Sequence, residues 1–187
     1  MAQTGRNKGP TMEGGAGWRR YAWGRARREL LPRLPIEVVR LRIRRARELG
    51  IDYKSYASIR AGTGRDIVAL LFSANALSIG PRRVTIPAAK AGKLTLINRC
   101  DQLAMLYAPA SIQEFMTENQ WFTDAAQAPD LRNSWRDVGR MVTDLPTRHN
   151  LPGPGVVVVG DTALEREWAD AGRLGGFLPP QALFASP

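Results

Sequence analysis

Two short apolar runs constrain the fold of this chain more than any other feature. They are residues 67–72 (IVALLF) and residues 156–159 (VVVV). A strand that is apolar at every position is typical of a parallel sheet covered on both faces, whereas a half-exposed strand alternates apolar and polar residues. Helical patterns separate the predicted strands. The sequence therefore predicts an α/β fold, specifically a three-layer Rossmann-like domain with a mostly parallel sheet.

Weaker patterns fill the rest of this domain. They predict further strands at residues 84–86, 94–97 and 103–107. Helices are predicted at residues 53–60, 111–118, 131–145 and 163–171. The last helix should begin at Thr162, because Glu165 follows at the three-residue spacing of a capping box.

Positive charge is concentrated at the start of the chain. The 187 residues carry a formal net charge of +10, and residues 1–50 contain 13 Lys and Arg against 4 Asp and Glu. Residues 1–50 therefore account for +9, and residues 51–187 for +1. This asymmetry and the Gly-rich start predict three parts. They are a disordered tail (1–17), a basic and partly extended arm with a helix (18–50), and the α/β core domain (51–187).

The second half of the arm allows two secondary structures. Its apolar residues recur at a helical spacing, with Pro35 before them and Gly50 after them, as at the two ends of a helix. Residues 39–44 also alternate with period two, which is typical of a strand. Because Arg, Glu, Ala and Leu are good helix formers, we expect a helix over residues 36–49.

The first half of the arm interleaves arginine with aromatic residues, and this pattern is typical of a binding segment. The candidate partner-binding residues are Trp18, Arg19, Arg20, Tyr21, Trp23, Arg25, Arg27 and Arg28. Pro32 and Pro35 suit an extended docking segment better than a single groove-binding helix. We therefore expect an acidic protein surface as the partner, with nucleic acid second and an anionic membrane surface as a further alternative.

Apolar runs in this sequence are too short to cross a membrane, and the first residues lack the apolar core of a signal peptide. The longest candidate, residues 67–79, is interrupted by Ser73 and Asn75. We expect no transmembrane segment and a cytoplasmic location.

Polar residues follow both strong strands. Ser73 and Asn75 come after the first, and Asp161 and Thr162 come after the second. Ligands of parallel α/β sheets bind outside the carboxyl ends of the strands. These four residues are therefore the candidate ligand-binding residues, and the Asp161 carboxylate is a candidate metal ligand.

The second strand and its helix also carry a family resemblance. Residues 156–172 (VVVVGDTALEREWADAG) resemble the last motif of haloacid-dehalogenase-like phosphohydrolases, in which a hydrophobic strand ends in Gly-Asp and a helix follows. The resemblance implies that Asp161 helps to bind magnesium. That family's first motif is an apolar strand ending in Asp-x-Asp, which supplies the nucleophile and the acid/base. Its best match, residues 70–77 (LLFSANAL), has Ser73 and Asn75 in those places, so both carboxylates are absent.

The chain also lacks the residues that several other kinds of catalytic or metal site require. With one cysteine (Cys100) and one histidine (His149), the chain cannot build a disulfide framework, a multi-cysteine metal site or a paired-histidine metal site. The segment around Ser73 lacks the Gly-x-Ser-x-Gly elbow of serine hydrolases. We therefore expect a non-catalytic interaction protein, an accessory subunit docked on a larger assembly through its basic aromatic arm. Two alternatives stay open: a Mg²⁺-dependent, phosphohydrolase-like enzyme with a degenerate site, and a nucleic-acid binder without sequence specificity.

Overall fold

A computed structural model describes residues 34–80 and 83–185 of the chain. The predicted tail and the eight candidate partner-binding residues of the arm lie outside these ranges. The chain divides into two compact units, Met1–Val39 and Arg40–Pro187. Of the first unit only residues 34–39 are described, and they contain the start of a helix that follows Pro35.

The described ranges contain seven helices and five strands, named here in chain order. The helices are α1 (Ile36–Glu48), α2 (Tyr53–Thr63), α3 (Ala88–Leu94), α4 (Ile112–Glu118), α5 (Trp135–Arg148), α6 (Ala163–Ala171) and α7 (Gln181–Phe184). The strands are β1 (Ala69–Ser73), β2 (Asp101–Leu106), β3 (Asp124–Gln127), β4 (Val156–Val159) and β5 (Gly176–Leu178). A single 3₁₀ turn, Gly153–Gly155, precedes β4.

The strands form one parallel sheet in the order β3-β2-β1-β4-β5. β1 pairs with β2 on one side and with β4 on the other, so that Leu70 lies between Gln102 and Val157. The chain thus builds the sheet outward from β1 in one direction and then returns to build it in the other. This order is Rossmann-like, and it confirms the predicted fold class.

Helices cover both faces of the sheet, which explains why its central strands are apolar throughout. Leu70 and Phe72 point to a core cluster with residues from α1, α2, α3, α4 and α7. Leu71, one position along the strand, points to a second cluster with α5 and α6. Successive strand residues point to opposite faces, so each residue of β1 and of β4 is buried.

Several of the predicted elements are confirmed. Residues 36–48 form a helix rather than a strand, and its buried residue Ala46 lies in the first core cluster. The two strong apolar runs form β1 and β4, and residues 103–107 largely coincide with β2. The capping box at Thr162 is present at the start of α6.

Two predicted strands are wrong. Residues 84–86 are buried but lie in a loop, where the carbonyl of Val84 accepts a hydrogen bond from the side chain of Asn119 instead of a strand partner. In the range 94–97, Leu94 ends helix α3 and Leu96 is 78% exposed. Neither segment therefore has the strand neighbour that its apolar residues suggested.

In the part of the chain that the structure describes, no helix is long and apolar enough to span a bilayer.

Candidate functional site

The carboxyl ends of β1 and β4 meet at the centre of the sheet. Because the chain leaves these neighbouring strands in opposite directions, a crevice opens between their ends, and such switch points are where open α/β sheets bind ligands. Ser73 ends β1, and Gly160, Asp161 and Thr162 follow β4. The structure therefore brings the two predicted polar strand ends together.

A buried carboxylate, that of Glu165, links these two ends. Its side chain projects from the first turn of α6 and is 0% exposed. One oxygen, Oε1, accepts hydrogen bonds from Asn75 Nδ2 at 2.9 Å and from the Tyr107 hydroxyl at 3.1 Å. The other, Oε2, accepts from the backbone N–H groups of Asp161 at 2.7 Å and Thr162 at 3.1 Å. Four donors thus surround one buried carboxylate.

The neighbours of Glu165 are arranged around its charge. Burial and the adjacent negative charge raise the pKa of Tyr107 well above its usual range, so its hydroxyl stays protonated and donates. The Thr162 hydroxyl accepts a hydrogen bond from the Glu165 N–H at 3.2 Å, completing the capping box. Gly160 permits this close approach, because a Cβ there would lie 2.8 Å from the Glu165 Cβ.

Ser73 has a structural position rather than a reactive one. Its side chain is fully buried, and its hydroxyl oxygen accepts a hydrogen bond from the Ala76 N–H at 3.1 Å. This bond holds the turn that follows β1. In the resembling phosphohydrolases the nucleophile stands at this place, whereas here the position is closed by packing.

The other two candidate ligand-binding residues, Asn75 and Asp161, differ in whether their side chains have hydrogen-bond partners. Asn75 is exposed at the turn, with its amide N–H donated to Glu165. The Asp161 side chain is exposed, and neither of its oxygens has a hydrogen bond or ion pair among residues 34–80 and 83–185. The sequence predicted Asn75 and Asp161 as ligand-binding residues, but it predicted only a helix-capping role for Glu165. Its spacing at the third position of α6 was the available signal.

The other reactive side chains lie away from this crevice. His149 Nε2 is 3.1 Å from Asp124 Oδ2, at the start of β3 and so at the opposite end of the sheet from Ser73. No triad can therefore form between them. Burial raises the pKa of the Cys100 thiol to about 12, which keeps it protonated and a poor nucleophile at neutral pH.

The residues of this site can also be compared with the ligands needed by the magnesium ion that the family resemblance implies. Magnesium needs free oxygen ligands, usually from one or two carboxylates together with substrate phosphates and water. Both Glu165 oxygens already accept two hydrogen bonds each, and Ser73 replaces the first-motif carboxylate. Within the described ranges no group of three His, Cys, Asp or Glu side chains could hold a metal ion. The residues present do not fit that family's magnesium site.

We therefore expect magnesium to have no stabilising effect. Adding about 5 mM MgCl₂ to the full chain should change its Tm by less than about 1 °C, because a ligand stabilises only in proportion to its binding. Differential scanning fluorimetry measures this, with NaCl at matched ionic strength as the control. A rise of several degrees that disappears in Asp161→Asn would contradict the expectation and favour the phosphohydrolase-like alternative.

Comparison of the chain with protein-family models found no match. Searches of the curated proteins and of the solved structures also found none.

Proposed function

We propose that this protein is a non-catalytic interaction protein, an accessory subunit that docks on a larger assembly through its basic aromatic arm. The main support is that the polar side chains after β1, at the switch point of the sheet, are engaged in hydrogen bonds within the fold. Ser73 and Asn75, which stand where the resembling enzymes have their reactive carboxylates, are bonded to Ala76 and to the buried Glu165. These hydrogen bonds support a structural rather than a catalytic role for both side chains.

Unpaired arginines support an acidic partner. In α1, Arg42, Arg44 and Arg47 have no ion pair within residues 34–80 and 83–185. In contrast, Arg140 and Arg148 of α5 pair with Asp137 and Asp144 of the same helix. The positive charge of the first half of the arm thus continues along the sequence into α1. An unpaired basic surface attracts acidic partners and accelerates their association.

An exposed apolar residue favours protein over nucleic acid as that partner. Leu41 is 62% exposed and lies between Arg40 and Arg42 in the sequence of α1. Phosphate contacts need positive charge and gain little from an exposed leucine, whereas protein interfaces combine apolar side chains with arginine. The arm adds Trp18, Tyr21 and Trp23 to this pattern.

Charge reversal within the full chain tests the proposal. The arm variant changes Arg19, Arg20, Arg25, Arg27 and Arg28 to Glu. The control changes Lys54, Arg65, Arg83, Arg132 and Arg136 to Glu, five exposed cations outside the arm. Tagged proteins are purified from the native host with nuclease present, and bound proteins are quantified by mass spectrometry.

We expect the wild-type chain and the control to retain the same near-stoichiometric protein partner, and the arm variant to lose it by at least about tenfold, since the five charges act together. Circular dichroism should show all three proteins folded. Recovery of the chain alone, or a partner retained by the arm variant, would contradict the proposal.

Nucleic acid is the second candidate, because five arginines lie among three aromatic side chains in residues 18–28. If it is the partner, the bound material disappears with nuclease. Affinity for single- or double-stranded DNA would then fall by orders of magnitude between about 50 and 200 mM salt. Binding to vesicles of anionic lipid would instead support the membrane-surface alternative.

A further inference from the structure

A small open pocket lies at the carboxyl ends of β1 and β4, beside the buried Glu165 carboxylate, and it is lined in part by Asn75 and Asp161, which donate hydrogen bonds to that carboxylate. Its volume is about 280 Å³. The polar residues that line it are Asn75, Ser78, Lys90, Asp161 and Gln181, and the ring of Phe184 forms part of its wall. The pocket therefore lies at the topological switch point, with several polar groups converging on it.

Lys90 supplies the positive charge of this pocket. Its ammonium donates to the Ala76 carbonyl at 2.5 Å and to the Ser78 hydroxyl at 2.8 Å, and it lies 4.9 Å from the centre of the Phe184 ring. No carboxylate in the described ranges lies within ion-pair distance of it. Burial lowers the pKa of Lys90, and the charge of Asp161 opposes that shift.

Asp161 supplies the negative charge. Its backbone N–H is held by Glu165 at 2.7 Å, which fixes the base of the side chain, while its carboxylate has no partner in the described ranges. The two opposite charges thus share one pocket without contacting each other. Lys90 is held on its own side by Ala76 and Ser78, so it does not reach across to form the pair.

The loop that carries Ser78 is held in a costly backbone conformation. Ser78 has a φ of 58°, in the left-handed region that non-glycine residues rarely adopt. The hydrogen bond from Lys90 to its hydroxyl helps to hold this conformation. Backbone strain of this kind is concentrated at ligand clamps and active sites.

Charge and size together select the class of ligand. A simple anion that approaches Lys90 also meets the carboxylate of Asp161, and a metal cation that approaches Asp161 also meets the ammonium of Lys90. A molecule with an ammonium and a carboxylate is complementary to both. A volume of about 280 Å³ lies just below the roughly 300–1,000 Å³ of pockets for drug-sized ligands and suits a smaller molecule of amino-acid size.

We propose that this pocket binds a free α-amino acid. The ammonium of Lys90 and the hydroxyl of Ser78 bind its carboxylate, and the carboxylate of Asp161 binds its ammonium. The side-chain oxygen of Asn75, whose amide N–H is donated to Glu165, is the second acceptor for the ligand ammonium. This proposal is independent of the proposed docking function, because none of these residues belongs to the arm.

The test is a binding screen on the full chain. Each standard amino acid is added at about 5 mM and binding is read by the shift in Tm and by saturation-transfer NMR, since a ligand at or above its Kd raises stability. Each is compared with two analogues that lack one charge, such as ethylamine and propionate for alanine. We expect at least one amino acid to bind, and its two analogues to bind at least about tenfold more weakly.

One variant and a matched control test whether the amino acid binds at this pocket. Asp161→Asn should weaken binding by at least about tenfold, because it removes the charge that pairs with the ligand ammonium. Asp170→Asn, which changes an exposed carboxylate on the α6 helix that follows Asp161, should bind as the wild-type chain does. Since Asp161 is exposed, its substitution should not unfold the protein.

Three results would each overturn the proposal. The first is that no amino acid gives a Tm shift or a saturation-transfer signal. The second is that a single-charge analogue binds as tightly as the amino acid, and the third is that Asp161→Asn retains full affinity.

Discussion

Glu165→Ala will lower the free energy of unfolding by about 3–5 kcal/mol, because it removes a buried acceptor from four hydrogen-bond donors and opens a cavity. Those donors are Asn75 Nδ2, the Tyr107 hydroxyl and the N–H groups of Asp161 and Thr162. An unsatisfied buried polar group costs about 1–3 kcal/mol, and partial access of water to the exposed turn reduces the total.

The experiment is urea unfolding of the full chain, followed by far-ultraviolet circular dichroism. Glu167→Ala is the matched control, since Glu167 is exposed on the same helix and should change stability by less than about 0.5 kcal/mol. Glu165→Gln should cost about 2 kcal/mol, because its amide N–H₂ would face one of the two donor pairs. If Glu165→Ala lowers the free energy of unfolding by less than about 1 kcal/mol, the four hydrogen bonds to Glu165 do not hold the ends of β1 and β4 together.

Arg45→Met has the second large expected effect, a loss of about 3 kcal/mol in the free energy of unfolding. The guanidinium joins α1 to the segments before β1 and β2, and its side chain is only 13% exposed. Five hydrogen bonds leave it. Their acceptors are Asp66 at 3.1 Å, Glu48 at 2.9 Å and the carbonyls of Asn98 at 3.2 Å, Ile67 at 2.9 Å and Arg99 at 2.9 Å.

The geometry of the guanidinium, and not its charge alone, explains this effect. Arg45→Lys keeps the charge but cannot donate in five directions, so we expect it to lose about 2 kcal/mol. Arg47→Met, an exposed arginine on the same helix without an ion pair in the described ranges, should change stability by less than about 0.5 kcal/mol. Urea unfolding measures all three variants. A lysine variant as stable as the wild-type chain would contradict the geometric explanation.

The central strands were predictable because their burial is encoded locally. β1 and β4 have helices on both faces, so every side chain must be apolar, and a continuous run of Val, Leu and Ile indicates this directly. The capping box of α6 was predictable for a similar reason, since Thr162 and Glu165 interact within one helical turn.

The edge strands and two short helices were not predictable from local patterns. β3 and β5 have four and three residues, and β3 contains Asp124 and Gln127. Their strand character comes from hydrogen bonds to β2 and to β4, which no local pattern records. Similarly, α3 contains Gly92 and two lysines, and α7 has only four residues, so neither shows a clear helical period.

The sequence by itself determined that the chain is an α/β protein, that its strands are largely parallel, and that polar residues follow two of them. It also identified the charge asymmetry of residues 1–50. These properties follow from composition and from periods of two or about four residues, which report burial one element at a time.

Only the tertiary structure decided what the polar strand ends do. Asn75 and Glu165 are 90 positions apart, and their hydrogen bond exists because β1 and β4 are neighbours in the sheet. The same neighbourhood places Lys90 and Asp161 in one pocket while Ser73 is buried beneath its turn. Sheet order depends on the packing of the whole domain, so the chemistry at its centre is a property of the fold and not of any local motif.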